Sequence, residues 1–367
     1  MKELLQHAQH IVILTHMAPD GDAMGSALAL YNRLNVPEAQ LNAAEPLCKR
    51  AESASVSVIV PNAFPAFFNW MPGAERVHVY EKESAVCDDI LAAADLFLCT
   101  DFNDPKRIGP VGEKMLANPC PKILIDHHLM DERAKGLADE GFWTEVHSHP
   151  EASSACEIVY QLLLKEERIN AAEPQCTRAQ GTCLTEEVAT CIYTGLMTDT
   201  GNFSYNSTRA ELYDIIAALL RAGVQKDAIY NAVFNQYSEH RVRLTGYALY
   251  RKMRIYPEHH LALITLSADE LEQYHYQVGD TEGLVNMPLQ ISDVYYSVFM
   301  REERAKPGTP KSRIRISFRS QGDRPVNVWA HEVFHGGGHA NASGGELFGT
   351  IGQAVRLFEQ TYKKYLK

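Results

Sequence analysis

No Cys-x-x-Cys pair occurs in this chain, and its eight cysteines are scattered over 367 residues. That spacing excludes a zinc knuckle and a disulfide framework, and reads as reduced, mostly buried thiols. No stretch approaches the roughly 18 apolar residues of a membrane helix. The opening Met1-Lys2-Glu3-Leu4-Leu5-Gln6-His7 lacks the apolar core of a signal peptide. A Gly-x-x-x-x-Gly-Lys loop is missing, which argues against an ATPase. A Gly-x-Ser-x-Gly elbow is missing too, which argues against a serine nucleophile. Basic residues are in deficit: 35 against 46 acidic gives −11, unlike a non-specific nucleic-acid coat. A soluble cytoplasmic protein of two or three domains is expected, at about 100–200 residues per domain.

What is present begins with apolar runs alternating with helical patterns. Ile11-Val12-Ile13-Leu14, Val56-Ser57-Val58-Ile59-Val60, Asp95-Leu96-Phe97-Leu98-Cys99 and Lys122-Ile123-Leu124-Ile125 read as strands. Helices are expected from about Asp22, over 153–164 and over 186–197, which together predict an α/β fold with a parallel sheet. The polar segment 166–185 reads as a surface excursion. Residues 228–252 read as a long connector helix, whose exposed apolar residues would suit a homodimer. A second, smaller α/β unit follows, with strands at 261–266, 293–300 and 313–318 and a closing helix through Ile351, Ala354, Val355, Phe358, Tyr362 and Leu366. The expected division is 1–225, a connector at 226–254, and 255–367.

Acidic residues and histidines gather where these elements end. The first strand runs into His16, Asp20 and Asp22, the third into Asp101, the fourth into Asp126-His127-His128, and the helix at 186–197 into Asp199. Taken singly, Asp-Gly-Asp is a turn and Asp199 a cap. Ligands of open α/β sheets bind at the carboxyl ends of the strands, so neighbouring strands would bring these groups into one cleft. Asp20, Asp22, Asp101 and Asp199 would then repel one another unless cations compensate. Two divalent ions balance four carboxylates, and oxygen ligands with some imidazole from His16 and His127 suit manganese or a similar octahedral ion. Such a pair of ions clamps a phosphoryl group and activates water.

These residues resemble the DHH phosphoesterase family, which takes its name from the triplet found here at Asp126-His127-His128. His16-x-x-x-Asp20-Gly21-Asp22, Asp101, Asp199-Thr200-Gly201-Asn202-Phe203 and, near the C-terminus, the segment Gly336-Gly337-Gly338-His339-Ala340-Asn341-Ala342-Ser343-Gly344 carry the resemblance. It implies a DHH domain followed by a DHH-associated substrate domain, and is greatest to the nanoRNase and 3′-phosphoadenosine 5′-phosphate (pAp) phosphatase branch. It also implies His16, Asp20 and Asp101 on one ion and Asp22, Asp101, His127 and Asp199 on the other, with Asp101 shared. His128 would face the scissile phosphate and Asp126 would steer the histidines from behind. Asp104 competes with Asp101 for the shared position; Asp101 is preferred because it leaves the strand end directly.

Residues 301–324 hold eight basic and three acidic side chains, a local excess of +5. Arg313, Arg315, Ser317 and Arg319 alternate with Ile314, Ile316 and Phe318. This reads either as an edge strand guarded by charge or as a phosphate grip led by Arg319 and Arg315. Gly336, Gly337 and Gly338 read as a loop or as a nest of backbone N–H groups for an anion, with His339 beside it. The expected function is hydrolysis of short oligoribonucleotides and dinucleotides to mononucleotides, and of pAp to AMP, by water activated between two metal ions. Cyclic-dinucleotide hydrolysis and non-catalytic nucleotide binding are the alternatives.

Overall fold

In the computed structural model, which describes residues 1–35, 54–168, 184–305 and 311–366, the chain divides into two units, Met1–Gln236 and Tyr237–Lys367. Strands of the first are β1 (His10–Leu14), β2 (Ser55–Val60), β3 (Val77–Val79), β4 (Leu96–Thr100), β5 (Lys122–Asp126) and β6 (Glu145–Ser148). Its helices are α1 (Lys2–His7), α2 (Gly21–Asn35), α3 (Tyr80–Ala93), α4 (Pro110–Ala117), α5 (Glu132–Asp139), α6 (Ala155–Arg168), α7 (Glu186–Asp199), α8 (Ala210–Arg221) and α9 (Lys226–Phe234).

Period-two alternation sends Ile11, Ile13, Leu98 and Ile125 to a core shared with α2, α6 and α7, and Val12, Leu14, Phe97 and Leu124 to one shared with α3 and α4. Burial on both faces is what an all-parallel sheet requires. The strand order is β3-β2-β1-β4-β5-β6, every pairing parallel. Chain direction across the sheet therefore reverses between β1 and β4, the crevice where doubly wound folds bind ligands.

Helices α2 and α7 cross very closely. A Cβ on Gly21 would lie 2.2 Å from the Thr198 hydroxyl oxygen, one on Gly25 would lie 2.6 Å from the Cys191 carbonyl oxygen, and one on Gly195 would lie 2.8 Å from Asp22 Oδ1 and 2.2 Å from Cys156 Sγ of α6. The crossing sets the first turn of α2, with Asp22, against the last turns of α7, which ends at Asp199.

The second unit contains α10 (Glu239–Tyr247), β7 (Arg254–Tyr256), β8 (Leu261–Leu266), α11 (Ala268–Gln273), β9 (Tyr296–Glu303), β10 (Arg313–Ser320), α12 (Asn327–Phe334), β11 (Gly337–His339), β12 (Ala342–Phe348) and α13 (Ile351–Tyr365). Its sheet order is β11-β12-β10-β9-β8-β7, with only β8 and β9 parallel. Ile314, Ile316 and Phe318 are buried with Trp329, Phe334 and Phe358 of α12 and α13.

Several expectations need correction. The connector read as one helix is two: α9 stops at Phe234, and the Ser238 hydroxyl accepts from Arg241 N–H to start α10. The strand expected at 293–300 begins at Tyr296, because Val294 N–H donates to Ile291 and closes a turn first. Most of the excursion expected at 166–185 lies outside the described residues. Strand β10 is not an edge: β9 and β12 flank it, so its arginines do not guard an open ladder.

Gly195→Ala should destabilise the protein by about 1–3 kcal/mol, the usual cost of overpacking a closed core. A urea-unfolding midpoint equal to that of the unsubstituted chain would contradict this reading of the crossing.

Candidate metal centre

The loop after β1 brings His16 to the switch point, and its Nδ1 lies 3.0 Å from the Met17 carbonyl, so Nε2 faces inward. Asp20 ends this loop. Its Oδ1 accepts from Asp22 N–H at 3.1 Å and Ala23 N–H at 3.0 Å, capping α2, and lies 3.8 Å from His16 Nε2. Asp101 sits directly beyond β4 with φ of +64°, a left-handed conformation that a short polar side chain tolerates better than most. The turn directs its carboxylate between two histidines: Oδ2 is 3.2 Å from His16 Nε2, and Oδ1 is 3.5 Å from His127 Nε2. Asp104, the competitor in sequence, faces elsewhere. It caps the turn Pro105–Ile108 through Lys106 N–H at 2.9 Å and pairs with Arg133 at 3.2 Å.

His127 is held from behind by the Ala152 carbonyl, 3.4 Å from Nδ1. Its Nε2 lies 3.6 Å from Asp22 Oδ2 and 3.4 Å from Asp199 Oδ2. Asp22 is buried, and its two oxygens accept from Ala155 N–H at 2.6 Å and Cys156 N–H at 2.9 Å, the first turn of α6. Helix N-termini favour such an anion. Asp199 stands at the opposite kind of end, the last turn of α7, where the helix dipole disfavours negative charge by about 0.3–1 kcal/mol. Gly201, Asn202 and Phe203 then take positive φ values of 55°, 56° and 61° to turn the chain away.

Asp126 is fully buried. It accepts from Asn103 Nδ2 at 2.7 Å, from His128 N–H at 3.2 Å and from His128 Nδ1 at 2.8 Å. Asn103 was not singled out from sequence. Its position two residues beyond Asp101 is the only signal there, and an asparagine in a loop has many ordinary uses.

Ligand-type atoms of His16, Asp20 and Asp101 all lie within 4.8 Å of one another, and so do those of Asp22, Asp101 and His127. Asp101 belongs to both groups. Its buried Oδ1 meets no donor in ordinary hydrogen-bond geometry among the described residues, with His127 Nε2 and His128 Nδ1 each 3.5 Å away, an under-satisfied state that a cation would relieve. Oxygen and imidazole donors without thiolate fit hard or borderline divalent ions such as Mn²⁺ or Mg²⁺.

The titrating groups register the same crowding. Burial, together with the charge of Asp101, pushes the Asp22 carboxyl up from its ordinary 3.8 to about 7. Burial would lower His127, but the neighbouring Asp101 carboxylate and the charges of Asp199 and Asp22 hold it well above 6.5. Burial would raise Asp101, but the imidazoles of His127 and His16 beside it hold it well below 3.8.

In the second unit the arginines of β10 are engaged in different ways. Arg313 Nε donates to Glu346 at 2.6 Å, Arg315 Nε lies 3.3 Å from Glu303, and Arg319 Nη1 donates to the Phe318 carbonyl at 2.9 Å. The triple glycine runs into a strand. Gly336 N–H donates to Ala330 at 3.0 Å, while Gly337 and Gly338 join His339 in β11, paired with β12. Packing requires glycine at two of the three positions: a Cβ on Gly336 would stand 1.8 Å from the Gly344 carbonyl oxygen and one on Gly338 2.6 Å from the Ala342 carbonyl oxygen, whereas a Cβ on Gly337 would meet open space.

Residues 10–196 match the model of the DHH family, N-terminal domain, and the chain belongs to the DHH family. It is similar to the solved structure of an exopolyphosphatase-related protein from Bacteroides fragilis, with 42% identity over 99% of this chain and 94% of that one and a TM-score of 0.81. The bifunctional oligoribonuclease and PAP phosphatase NrnA of Bacillus subtilis is 25% identical across 92% of this chain and 89% of its own. The protein of that name from Thermus thermophilus is 25% identical across 97% and 88%. The cyclic-di-AMP phosphodiesterase GdpP of B. subtilis is 24% identical across 100% of this chain but 49% of its own.

Metal-free protein should gain stability as pH falls from 8 to 5. Asp22 binds a proton in the folded state, up to about 7, that the unfolded chain has released above 3.8, and this term weakens as pH rises. His127, raised in the folded state, acts in the same sense: its contribution is full below 6.5 and lost as pH rises through its folded value. The opposing contribution of Asp101 is lost only well below 3.8, outside this window. Thermal melts in excess chelator check this, and a Tm that drops steadily from pH 8 to 5 would refute the charge assignment.

Proposed function

We propose that this chain is a divalent-metal-dependent phosphoesterase that hydrolyses short oligoribonucleotides, dinucleotides above all, to mononucleotides, and also pAp to AMP. One observation carries the reading: two ligand clusters share the buried Asp101, whose Oδ1 meets no donor in ordinary hydrogen-bond geometry among the described residues, at the switch point of a parallel sheet. The curated relatives that span most of their own length are oligoribonuclease and PAP phosphatase proteins, which supports the substrate class.

In this reading His16, Asp20 and Asp101 hold one ion, and Asp22, Asp101, His127 and Asp199 hold the other. Bound divalent cations would supply Lewis acidity for water and for the phosphoryl oxygens. The protein's own part is to place and to tune. Ala152 fixes the proton of His127 on Nδ1, leaving Nε2 as the donor lone pair. Asp126 likewise takes the Nδ1 proton of His128 and leaves Nε2 for the scissile phosphate. Asn103 holds Asp126 in that pose. In the second unit, Arg319 and Arg315 would bind a phosphate of the substrate. Gly336, Gly337 and Gly338 would let it approach the backbone closely, and His339 would donate to a phosphate or base edge.

Cyclic-dinucleotide hydrolysis is the second reading, favoured by the whole-chain alignment with the cyclic-di-AMP phosphodiesterase. One Mn²⁺-loaded preparation offered pApA, pGpG, pAp, cyclic di-AMP, pyrophosphate and polyphosphate separates the cases. Mononucleotide from the linear dinucleotides and AMP from pAp are expected. Preference for the cyclic substrate, or for polyphosphate, would replace the proposal, and no turnover would leave a nucleotide-binding module.

Asp101→Ala should leave under a few per cent of activity and abolish Mn²⁺ binding, whereas Asp104→Ala should keep most of both. The reverse pattern would move the shared ligand to Asp104. Arg319→Ala should raise KM for a dinucleotide about tenfold or more, the loss of one charge-assisted contact, with Mn²⁺ binding intact; an unchanged KM would make the β10 arginines purely structural.

A further inference from the structure

Helix α6 opens with Ser153-Ser154-Ala155-Cys156-Glu157, and Ser154 and Glu157 are spaced as a capping box. Half of that box forms, with Glu157 N–H donating to Ser154 Oγ at 3.2 Å. The carboxylate is used otherwise. Its Oε2 accepts from Ser153 N–H at 2.8 Å and from the Ser153 hydroxyl at 2.7 Å, and Gln161 Nε2 donates to Oε1 at 3.2 Å. Arg209 Nη2 lies 2.5 Å from both oxygens. Glu157 is 0% exposed, and a carboxylate removed from water needs such a cation.

The clamped segment touches the candidate metal centre at three atoms. The Ala152 carbonyl faces His127 Nδ1, and Ala155 and Cys156 N–H hold the Asp22 carboxylate. Arg209, the N-cap of α8, closes the segment that Asp199 opens, and within it Asn206 Nδ2 reaches the Ser153 carbonyl at 3.5 Å. Asp22 and His127 are thus tied directly to the segment this ion pair clamps, and Asp199 is joined to it through the chain that runs on to Asn206 and Arg209. His16 and Asp20 are set instead by the loop after β1 and by the cap of α2.

We infer that Glu157 and Arg209 form a positioning pair for one side of the centre, that of Asp22, His127 and Asp199. The inference rests on the two-ion reading above. Neither residue touches metal or substrate; both act through residues 152–156.

The test is isothermal titration of Mn²⁺ into the metal-free full chain. The unsubstituted protein should show two binding events. Arg209→Ala and Glu157→Gln should each weaken one event about 10–100-fold, as loss of outer-shell support does, and leave the other within about twofold. Asp20→Ala, which removes a ligand of the other side, identifies which event is which. Arg209→Lys should recover most of the loss. With a dinucleotide, kcat should fall at limiting Mn²⁺ and return at saturating Mn²⁺, with KM unmoved. Both events unchanged, or both weakened equally together with a lower Tm, would overturn the assignment in favour of a merely structural pair. Should Arg209→Ala fail to fold, Glu157→Gln and Arg209→Lys decide between the same outcomes. An unsubstituted chain that binds no Mn²⁺ overturns the metal reading itself, a result distinct from two normal events that the variants leave unmoved.

Discussion

Carboxylates that repel one another must be kept together at the end of a parallel sheet, and much of the first unit is arranged around that constraint. Asp22, Asp101 and Asp199 all stand within 3.6 Å of a single imidazole nitrogen on His127. At such separations the repulsion between like charges is substantial even when the protein screens them partly. The chain meets it with fixed dipoles and imidazoles: the α6 N-terminus at Asp22, and His16 and His127 on either side of Asp101. These partners do not neutralise the set, and a raised Asp22 beside an under-satisfied Asp101 oxygen is the residue of that imbalance.

The fold delivers these groups by two devices. Strand order places the ends of β1, β4 and β5 side by side, so His16, Asp101 and His127 meet although 111 positions separate the first from the last (127 − 16). The glycine-lined crossing of α2 and α7 supplies the rest. Were Gly21, Gly25 and Gly195 larger, the helices would stand apart and Asp199 would recede from His127. The unfavourable placement of an acid at a helix end therefore makes sense only as part of the site. Places where a local rule is broken are where function is to be sought.

Much of this was legible in the chain because strand runs and strand-end acids are local signals. The four apolar runs of the first unit became β1, β2, β4 and β5, and the residues following them converged. Choosing Asp101 over Asp104 rested on distance from the strand end; in the structure Asp101 lies between His16 and His127, and Asp104 caps a turn. Less visible were groups whose role is defined by a partner far away in sequence. Asn103 matters through Asp126, and Glu157 through Arg209, 52 positions on. The glycine run suits both a nest and a close strand pairing in composition, and the Gly344 carbonyl against Gly336, far along the chain, was not visible from it. The alternation of β10 was read correctly, yet alternation carries no information on whether a strand is central or at an edge.

The left-handed backbone at Asp101 narrows what evolution or a designer could install there. Aspartate, asparagine and glycine accept that conformation with little strain, whereas glutamate would bear it with an extra methylene that carries the carboxylate past both histidines. The main chain thus vets side-chain length before chemistry is consulted. Conserving charge at this position would not conserve the centre.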